Sequence, residues 1–494
     1  MKYYSTRDRS VRISSAEAIA MGLSREGGLF VPETVPAISM EELASLCALD
    51  YRERAVRIMK LFLEDYSEEE LRGFANAAYS REKFDSEAVA PVVKLGDGTY
   101  ILELWHGPTC AFKDMALQML PYLLTAALKK TGEEKRVCIL VATSGDTGKA
   151  ALEGFRDVEG TKILVFYPRD GVSEVQKLQM TSQEGGNVFV SAIEGNFDDA
   201  QTGVKEIFSS EELREELAEN GWFLSSANSI NWGRLLPQIV YYFSAYCDLI
   251  NAGEIKMGEK INFSVPTGNF GDILAGYYAK KMGLPVARLI CASNRNNVLT
   301  DFFETGEYNR VRPFYETISP SMDILISSNL ERLLSDLSDS GDKVRELMES
   351  LKSEGRYEID AETLEKICSV FSAGSLDDEA AKAIIRETFN EKGYLMDTHT
   401  AVAFGVTKAY REKTGDKTKT VTLSTASPFK FTPAVLSALG KPCEKPGPEL
   451  IGELSETAGI PAPRPLADLA GRKARFTFCA KKTELFDTVK AFLS

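Results

Sequence analysis

The residue with the most distinctive chemistry in this sequence is a lysine at the junction of a strand and a helix. Lys113 lies in the segment HGPTCAFKD, residues 106–114, after a strand-like run and at the start of a helix-like run. Its neighbours Phe112 and Met115 are apolar. Burial among such residues lowers the pKa of a lysine, and the uncharged amine is then a nucleophile or a base. The local pattern alone favours the alternative, a solvated lysine in a first helical turn, because most lysines are exposed.

A second candidate site follows a strongly apolar strand. Residues 143–149 read TSGDTGK and lead into a helix, so their N–H groups and hydroxyls lie at a helix N-terminus. Such an end attracts a carboxylate or a phosphate. The segment is not a P-loop, because it lacks the first glycine at the required distance and Ala150, not Ser or Thr, follows Lys149. From the residues alone, an anion site and an ordinary capped turn are equally open.

Three more segments at element ends could bind an anion or an aromatic ring. PTGNFGD, residues 266–272, has two glycines three apart, which lets the backbone close around a phosphate. LSTASPFK, residues 423–430, places hydroxyls where one could hydrogen-bond a pyridine nitrogen. SINWGR, residues 229–234, ends in an arginine that could pair with a phosphate dianion. Taken singly, each is explained at least as well by a turn or a helix start.

Strands and helices alternate around these segments. The apolar patterns predict strands over 100–104, 136–142, 162–167, 187–193, 260–265, 286–292 and 420–423. They predict helices over 114–130, 147–156, 173–184, 197–208, 234–250 and 272–282. This alternation favours an α/β fold of parallel sheets wound with helices, in which ligands bind beyond the carboxyl ends of the strands.

Composition shifts divide the chain into four predicted parts. Residues 1–95 form a mixed N-terminal unit, and residues 96–329 form the α/β core with two lobes. Residues 330–390 are charged and predict a helical insertion. Residues 391–494 return to the core and end in a proline-rich tail that we expect to wrap the surface as a loop.

The charge and the cysteines restrict the class of protein. The 494 residues carry a net charge of −14, which disfavours nucleic-acid and anionic membrane partners. The eight cysteines include no CxxC pair and there are two histidines, so we expect neither a disulfide framework nor a metal site. The N-terminus has no apolar signal region and no apolar run is long enough to span a bilayer. We therefore expect a cytoplasmic protein.

In their order along the chain, these segments resemble a known family. HGPTCAFKD, ATSGDTGKAAL, NSINWGR, PTGNFGDILAGYYAKKMGLP, DTHTAV and LSTASPFKF follow one another as in threonine synthases. GLSREGGLFVPE resembles that family's opening segment. The resemblance runs from about Tyr4 to about Leu439 and is nearest to the long bacterial and fungal branch. Blocks of this length in this order are highly specific.

The resemblance implies a fold and a reaction. The fold is that of fold type II pyridoxal 5'-phosphate (PLP) enzymes, similar to the β subunit of tryptophan synthase. The reaction is a lyase step of threonine biosynthesis, in which O-phospho-L-homoserine and water give L-threonine and phosphate by γ-elimination and β-addition. Lys113 matches the catalytic lysine that holds PLP as a Schiff base. The freed Lys113 amine is the economical candidate for the base at both Cα and Cβ.

Other site residues carry over by position. The residues that match the cofactor-phosphate loop are Gly268, Asn269, Phe270, Gly271 and Asp272. Thr425 matches the hydroxyl that faces the pyridine nitrogen. The residues that match the substrate-carboxylate loop are Thr143, Ser144, Asp146 and Thr147. Asn231 and Arg234 are expected contacts of the substrate phosphate, with Lys149 as a further nearby cation. No metal is implied.

Two departures from the family pattern and several rivals stay open. STAHPAKF reads STASPFKF here, so Ser427 replaces a histidine and Phe429 an alanine, and DPHTAV reads DTHTAV, with Thr398 for proline. The rivals are another fold type II enzyme such as a threonine or serine dehydratase or a β-replacement enzyme, a non-catalytic phospho-ligand binder, and a nucleotide-binding protein. We expect a small-molecule substrate, no nucleic-acid or membrane partner, and a monomer with a dimer as the alternative.

Overall fold

Two sheets of mostly parallel strands form the centre of the chain. The computed structural model describes residues 1–96, 98–195, 197–441 and 445–494. The strands are β1 (Tyr3–Ser5), β2 (Phe30–Pro32), β3 (Val92–Gly96), β4 (Thr99–Glu103), β5 (Arg136–Ala142), β6 (Thr161–Pro168), β7 (Val188–Ile193), β8 (Trp222–Ser226), β9 (Ile261–Pro266), β10 (Val286–Ser293), β11 (Glu307–Asn309), β12 (Arg356–Glu358), β13 (Phe371–Ser375), β14 (Thr420–Ser424) and β15 (Cys479–Ala480).

Helices cover both sheets and build the N-terminal unit. They are α1 (Ser15–Met21), α2 (Met40–Cys47), α3 (Tyr51–Phe62), α4 (Glu68–Ala78), α5 (Lys113–Leu117), α6 (Leu120–Thr131), α7 (Asp146–Phe155), α8 (Glu174–Thr181), α9 (Phe197–Ser209), α10 (Glu211–Glu219), α11 (Trp232–Asn251), α12 (Gly271–Lys281), α13 (Val298–Thr305), α14 (Leu330–Ser338), α15 (Gly341–Ser353), α16 (Ala361–Val370), α17 (Asp378–Lys392), α18 (Thr398–Thr414), α19 (Thr432–Ala438), α20 (Leu450–Ala458), α21 (Arg464–Ala467) and α22 (Leu485–Leu493).

The sheet order confirms the predicted α/β class. Within the described residues, the larger sheet runs β13-β10-β9-β14-β4-β3, and only its edge strand β3 is antiparallel to its neighbour. The smaller sheet runs β15-β7-β6-β5-β8, with every pairing parallel. Strands β5 and β6 are buried along almost their whole length, as continuous apolar runs such as RVCILVA require. The carboxyl ends of β4, β5, β9 and β14 lead into the predicted site segments.

The N-terminal unit is a helical layer that packs on the start of α11. Three of its helices begin with a capping box, formed by Ser14 with Glu17 and by the equivalent pairs at Ser39 and Ser67. The rings of Tyr3 and Phe62 contact the ring of Trp232, with centroids 5.5 and 5.6 Å apart. This unit therefore supports the helix that carries Arg234.

The region 330–390 is not purely helical, in contrast to the prediction. It contributes β12 and β13, and β13 pairs in parallel with β10 at the edge of the larger sheet. The sequence of β13, FSAGS, has one strong strand-forming residue and no alternation of apolar and polar residues, which is why periodicity does not reveal it. The segment is thus part of the sheet that carries the site.

The prediction of a wrapping C-terminal loop is wrong for residues 447–494. This part folds into α20, α21 and α22, and β15 adds in parallel to β7 in the smaller sheet. Pro465 lies in the first turn of α21, where a missing N–H costs nothing, so the prolines do not exclude helices. Pro442 and Cys443 lie outside the described residues.

The cysteines and the hydropathy of the helices can be read directly from the structure. The seven cysteines that the structure describes are free thiols, five of them buried. In the described ranges, no helix is long and apolar enough to cross a membrane.

Candidate active site

Lys113 is the first residue of α5, at the end of a loop that is fastened to a second loop. The N–H of Phe112 donates to the carbonyl of Thr425 at 2.8 Å, and Ala111 forms an antiparallel bridge with Ala426. A further bond joins the N–H of Ser427 to the Cys110 carbonyl at 3.0 Å. The lysine loop and the segment after β14 therefore hold a fixed relative position.

The environment of Lys113 favours the uncharged form of its amine. The side chain is half-buried and its nitrogen lies 3.8 Å from the centre of the Phe112 ring. Within the described residues it forms no ion pair. Burial, and next the positive charge of Arg234, lower the pKa of Lys113 to about 7. The lowered pKa favours the uncharged amine near neutral pH, as a nucleophile or base requires.

A tight turn before the lysine is built around Asp114. The buried carboxylate accepts the N–H and the hydroxyl of Thr109, both at 2.8 Å. A Cβ at Gly107 would lie 2.6 Å from an Asp114 oxygen, so this position has room only for glycine. Burial raises the pKa of Asp114 to about 6.

The loop between β9 and α12 presents unpaired amides. The N–H groups of Asn269, Phe270 and Gly271 donate to no acceptor in the described part of the chain. Phe270 has a φ of 62°, and its ring is buried against Phe303 and Phe371. The side chain thus points into the core and leaves the backbone facing the loop's concave side. This is an arrangement that binds phosphate.

Asp272, at the end of this loop, is hydrogen-bonded to two tyrosines of α11. One carboxylate oxygen accepts hydrogen bonds from Tyr241 at 2.5 Å and from Tyr242 at 2.9 Å. The other carboxylate oxygen is buried without a hydrogen-bond partner among the described residues. Burial raises the pKa of Asp272 to about 6. Both tyrosines belong to α11, so aromatic residues of that helix hydrogen-bond to the loop as well as packing in the core.

Thr425 immediately follows β14. The residue is 5% exposed, and its carbonyl receives the Phe112 N–H. Its hydroxyl forms no hydrogen bond within the described ranges. That hydroxyl is available to a ligand on the same side as Lys113.

The segment 143–149 divides into structural and available residues. The Thr143 hydroxyl accepts the N–H groups of Gly145 and Gly148, both at 2.9 Å, and so stabilises the helix start. Asp146 forms an ion pair with Lys430 at 2.6 Å. The half-buried Ser144 and Thr147 hydroxyls have no hydrogen-bond partner in the described part of the chain. These two hydroxyls are therefore the ones free to bind an anion.

Asn231 caps the start of α11, and its contact with the substrate phosphate stays a prediction. It is fully buried, and its side chain accepts the Gly233 N–H at 2.8 Å and donates to the Ile19 carbonyl at 3.0 Å. Lys149 is likewise occupied by an ion pair with Glu153 at 3.0 Å. Both side chains therefore have protein partners among the described residues.

Arg234 is a buried cation without an anionic partner. The residue is 2% exposed, donates to the Ala227 carbonyl, and has an unpaired Nε. It forms no ion pair within the described residues, and burial lowers its pKa to about 10. A buried charge of this kind is costly unless an anion binds beside it.

Comparisons with known proteins agree with this geometry. The family model "Threonine synthase N terminus" matches residues 2–79, "Pyridoxal-phosphate dependent enzyme" matches 86–426, and "Threonine synthase, C-terminal" matches 400–492. A threonine synthase of Pseudomonas aeruginosa is 40% identical over 100% of this chain and 98% of its own length. The chain belongs to the threonine synthase family of PLP-dependent enzymes.

Solved structures of the family have the same architecture. The crystal structure of a PLP-bound threonine synthase from Brucella melitensis is 38% identical, with a TM-score of 0.86, over 100% of this chain and 98% of that chain. The structure of threonine synthase from yeast is 35% identical, with a TM-score of 0.88, over the same shares. The predicted family and the fold type II architecture are confirmed.

The site fits the cofactor of the threonine synthase family. PLP needs an amine for its aldehyde, donors for its phosphate and a partner for its pyridine nitrogen. These three would be supplied by Lys113, by the amides of 269–271 and by the Thr425 hydroxyl, which lie in loops after β4, β9 and β14 and have no hydrogen-bond acceptor or partner among the described residues. The residues present therefore fit the group.

Several site residues in this family member are not evident from local patterns. Lys430 is 0% exposed and joins Asp146 to the Thr109 carbonyl, 2.9 Å away. His399 Nδ1 lies 2.9 Å from an Asp397 oxygen, which leaves Nε2 to accept the Ser321 N–H at 3.1 Å. The motifs SPFKF and DTHTAV contain both residues, but nothing in their spacing indicates which partners they have.

The departures from the family pattern have structural places. Ser427 is fully buried, and its hydroxyl accepts the Phe429 N–H at 3.4 Å as the cap of the next turn. Thr398 is the first residue of α18, a position where proline and threonine both fit, and Asp397 caps that helix. The changes from histidine and proline thus fall on helix starts.

Proposed function

We propose that this chain is a threonine synthase that converts O-phospho-L-homoserine and water to L-threonine and phosphate. The observation that carries the proposal is that the Lys113 amine and the Arg234 guanidinium are close enough for their charges to interact, and neither is paired with a carboxylate of the described residues. An amine near neutrality and an unpaired buried cation suit a substrate that carries both an amino group and a phosphate. The similarity over the full chain supports the same conclusion.

The cofactor and the protein have different tasks in this reaction. PLP supplies the electron sink for charge that develops beside the amino-bearing carbon. Lys113 would hold the cofactor, and its free amine is placed to remove a proton from Cα of the substrate and then from Cβ. Over the whole reaction the phosphate leaves Cγ, Cγ gains a proton, Cβ receives the hydroxyl of water, and Cα recovers its proton.

The remaining residues bind and orient. The Arg234 guanidinium receives the substrate phosphate, since a buried cation gains most from a dianion. The hydroxyls of Ser144 and Thr147, with the N–H groups at the start of α7, bind the substrate carboxylate. The Thr425 hydroxyl would be the partner of the pyridine nitrogen and would leave it unprotonated, because a neutral hydroxyl stabilises a proton there less than a carboxylate does. This should disfavour transamination.

The cellular setting forms part of the proposal. The free thiols support a reducing compartment, so we assign the protein to the cytoplasm. We propose that it acts as a monomer, with a dimer as the alternative.

The decisive experiment measures both products. The purified holoenzyme is incubated with O-phospho-L-homoserine, and released phosphate and threonine are quantified together. Equal amounts of both are expected. Phosphate without threonine, or keto acid and ammonia from serine or threonine at a higher kcat/KM, would instead identify a lyase of the dehydratase type. Absence of turnover with bound cofactor would identify a ligand-binding protein.

A further inference from the structure

A fully buried arginine outside the proposed contacts bonds to a segment of the site. Arg332, in the first turn of α14, is 0% exposed and forms no ion pair within the described residues. Its guanidinium donates to the carbonyls of Phe30 at 3.1 Å, Ser229 at 3.2 Å and Ile230 at 2.6 Å, and to the Asn329 side chain. Burial lowers its pKa to about 10, so it stays charged at neutral pH.

Asn329 connects this arginine to the cofactor-phosphate loop. A guanidinium only donates, so the Asn329 oxygen must face Arg332 and its amide nitrogen must face the other way. That nitrogen donates to the Asn269 carbonyl at 3.1 Å and to the Ser229 hydroxyl at 3.0 Å. The backbone N–H of Asn329 donates to the same Asn269 carbonyl at 3.1 Å. Arg332 therefore sets the orientation of an amide that holds the loop.

These bonds act on the outer side of the loop. Two successive carbonyls are held there, because the Ser327 hydroxyl also donates to the Gly268 carbonyl at 2.7 Å. The N–H groups that follow, from Asn269 to Gly271, donate to no acceptor among the described residues. The C=O and N–H of one trans peptide point in opposite directions, so fixing the carbonyls of Gly268 and Asn269 also fixes the N–H groups of Asn269 and Phe270 on the opposite side of the backbone.

The same arginine holds the segment before α11. It donates to the carbonyls of Ser229 and Ile230. Ile230 lies two residues before Trp232, the first residue of α11. Arg234 lies in the first turn of that helix. Arg332 thus bonds directly to the backbone that precedes Arg234. Through Asn329 it also bonds to the backbone of the cofactor-phosphate loop.

We propose that Arg332 and Asn329 are positioning residues that set the distance between the cofactor-phosphate loop and Arg234. The inference rests on the proposed function, in which Arg234 receives the substrate phosphate. Substrate and cofactor are joined during turnover, so their two phosphates must find sites at a fixed separation. A network that touches both sites, and no substrate atom, meets this requirement.

The first test uses Asn329→Asp, which keeps the shape, the oxygen that faces Arg332 and the backbone N–H, but loses the side-chain donor to the Asn269 carbonyl and the Ser229 hydroxyl. Losing such bonds should raise both the KM for O-phospho-L-homoserine and the rate at which the holoenzyme loses PLP on dialysis, each by about tenfold. The ³¹P NMR signal of the bound cofactor phosphate should shift. A merely structural change would not move that signal.

A matched pair of arginine variants controls for stability. Arg54 is 4% exposed and donates to the carbonyls of Leu46 and Cys47. It lies in α3 and forms an ion pair with Asp248 at 2.6 Å, in the last turn of α11, whereas Arg234 lies in the first turn of that helix. Arg332→Lys should alter KM, PLP retention and the ³¹P signal, whereas Arg54→Lys should lower the melting temperature and leave these three unchanged. The proposal is overturned if Asn329→Asp and Arg332→Lys behave as Arg54→Lys does.

A milder variant keeps the test decisive if a buried substitution prevents folding. Ser229→Ala removes a single acceptor of Asn329 on a half-buried residue. It should raise KM by about threefold with kcat nearly unchanged, and a KM equal to that of wild type would count against the proposal. Failure of the proposed function is separate, because it would appear as absent turnover in wild type, while the ³¹P and PLP-release measurements still judge Asn329.

Discussion

The Lys430 ammonium lies 2.6 Å from a carboxylate oxygen of Asp146, and both side chains are buried. The same ammonium donates to the Thr109 carbonyl at 2.9 Å, so one cation joins the lysine loop, the substrate loop and the segment after β14. Burial opposes ionisation of Asp146, but the Lys430 charge and hydrogen bonds from Lys430 and Gln176 outweigh it and lower the pKa of Asp146. Three site loops thus depend on one buried ion pair.

Lys430→Met should destabilise the protein strongly, because it leaves the Asp146 charge buried without its counter-ion. We expect a loss of about 3–5 kcal/mol in the free energy of urea unfolding. Adding Asp146→Asn removes the unpaired charge and should recover part of this loss. If the double variant is no more stable than Lys430→Met alone, the ion pair is not the source of the effect.

Lys113→Ala should abolish both the cofactor's visible absorbance, which depends on its bond to the lysine, and turnover. Without the amine, neither cofactor attachment nor proton removal is possible, and the loss of base catalysis alone costs on the order of 10²–10⁴ in kcat. Absorbance spectra and phosphate release measure the two effects. Lys129→Ala, an exposed lysine in α6, serves as the control and should change neither. Near-normal threonine formation by Lys113→Ala would remove the central assignment.

The rate of cofactor capture should report the lowered pKa of Lys113. Only the uncharged amine attacks the aldehyde, and this pKa is about 7. When PLP is added to cofactor-free protein, the rate of absorbance change should therefore rise between about pH 6 and pH 8 and level off above that. An ordinary lysine, with a pKa of about 10.4, would give a rate that still climbs at pH 9. That outcome would mean that the amine is not desolvated.

Thr425→Asp should change the cofactor's absorbance and its side reactions. A carboxylate at this position would hold a proton on the pyridine nitrogen, which the free Thr425 hydroxyl does not do. We expect a shifted absorbance maximum and more transamination per threonine formed, measured by spectroscopy and by keto acid assay. Thr425→Ser keeps a hydroxyl and should resemble wild type. Identical spectra for Thr425→Asp and wild type would place the residue away from the ring.

The sequence predicts the core of the fold because its central strands are buried on both faces. The strand predicted at 136–142 coincides with β5, since RVCILVA is a continuous apolar run in a parallel sheet. β13 and β15 escape prediction, because FSAGS and a two-residue strand carry no periodic pattern and form only through their neighbours. The helices of residues 447–494 are obscured by prolines that lie at their starts or between them.

For the site, the sequence likewise predicts the loops but not the side-chain partners that are distant along the chain. Strand-end segments identify which loops meet, since the carboxyl ends of parallel strands lie together. The pattern does not reveal that Asn231 is used as a cap or that Lys149 pairs with Glu153, because these partners depend on packing. Lys430 and Arg332 likewise find partners 284 and 102 residues away, respectively. Such contacts leave no signal in local spacing.

The imidazole of His106, at the start of the lysine loop, bridges two carboxylates. Nδ1 lies 2.5 Å from an Asp85 oxygen and Nε2 lies 2.9 Å from a Glu103 oxygen. Burial lowers the pKa of His106, but the hydrogen bonds to Asp85 and Glu103 raise it more, to about 9. The unfolded value is about 6.5, so the folded state binds the proton more tightly. The resulting stability is fully present below pH 6.5 and is lost as the pH rises through about 9.

The free energy of urea unfolding should therefore fall by on the order of 2 kcal/mol between pH 6.5 and pH 9.5. His106→Gln cannot bind the proton and should flatten the profile in that window while being less stable than wild type at pH 6.5. Glu103→Gln should give an intermediate slope, because it removes one of the two charges but leaves Asp85 in place. Equal slopes for wild type and His106→Gln would mean that other groups cause the loss, since a proton held by His106 is the only one that this substitution removes.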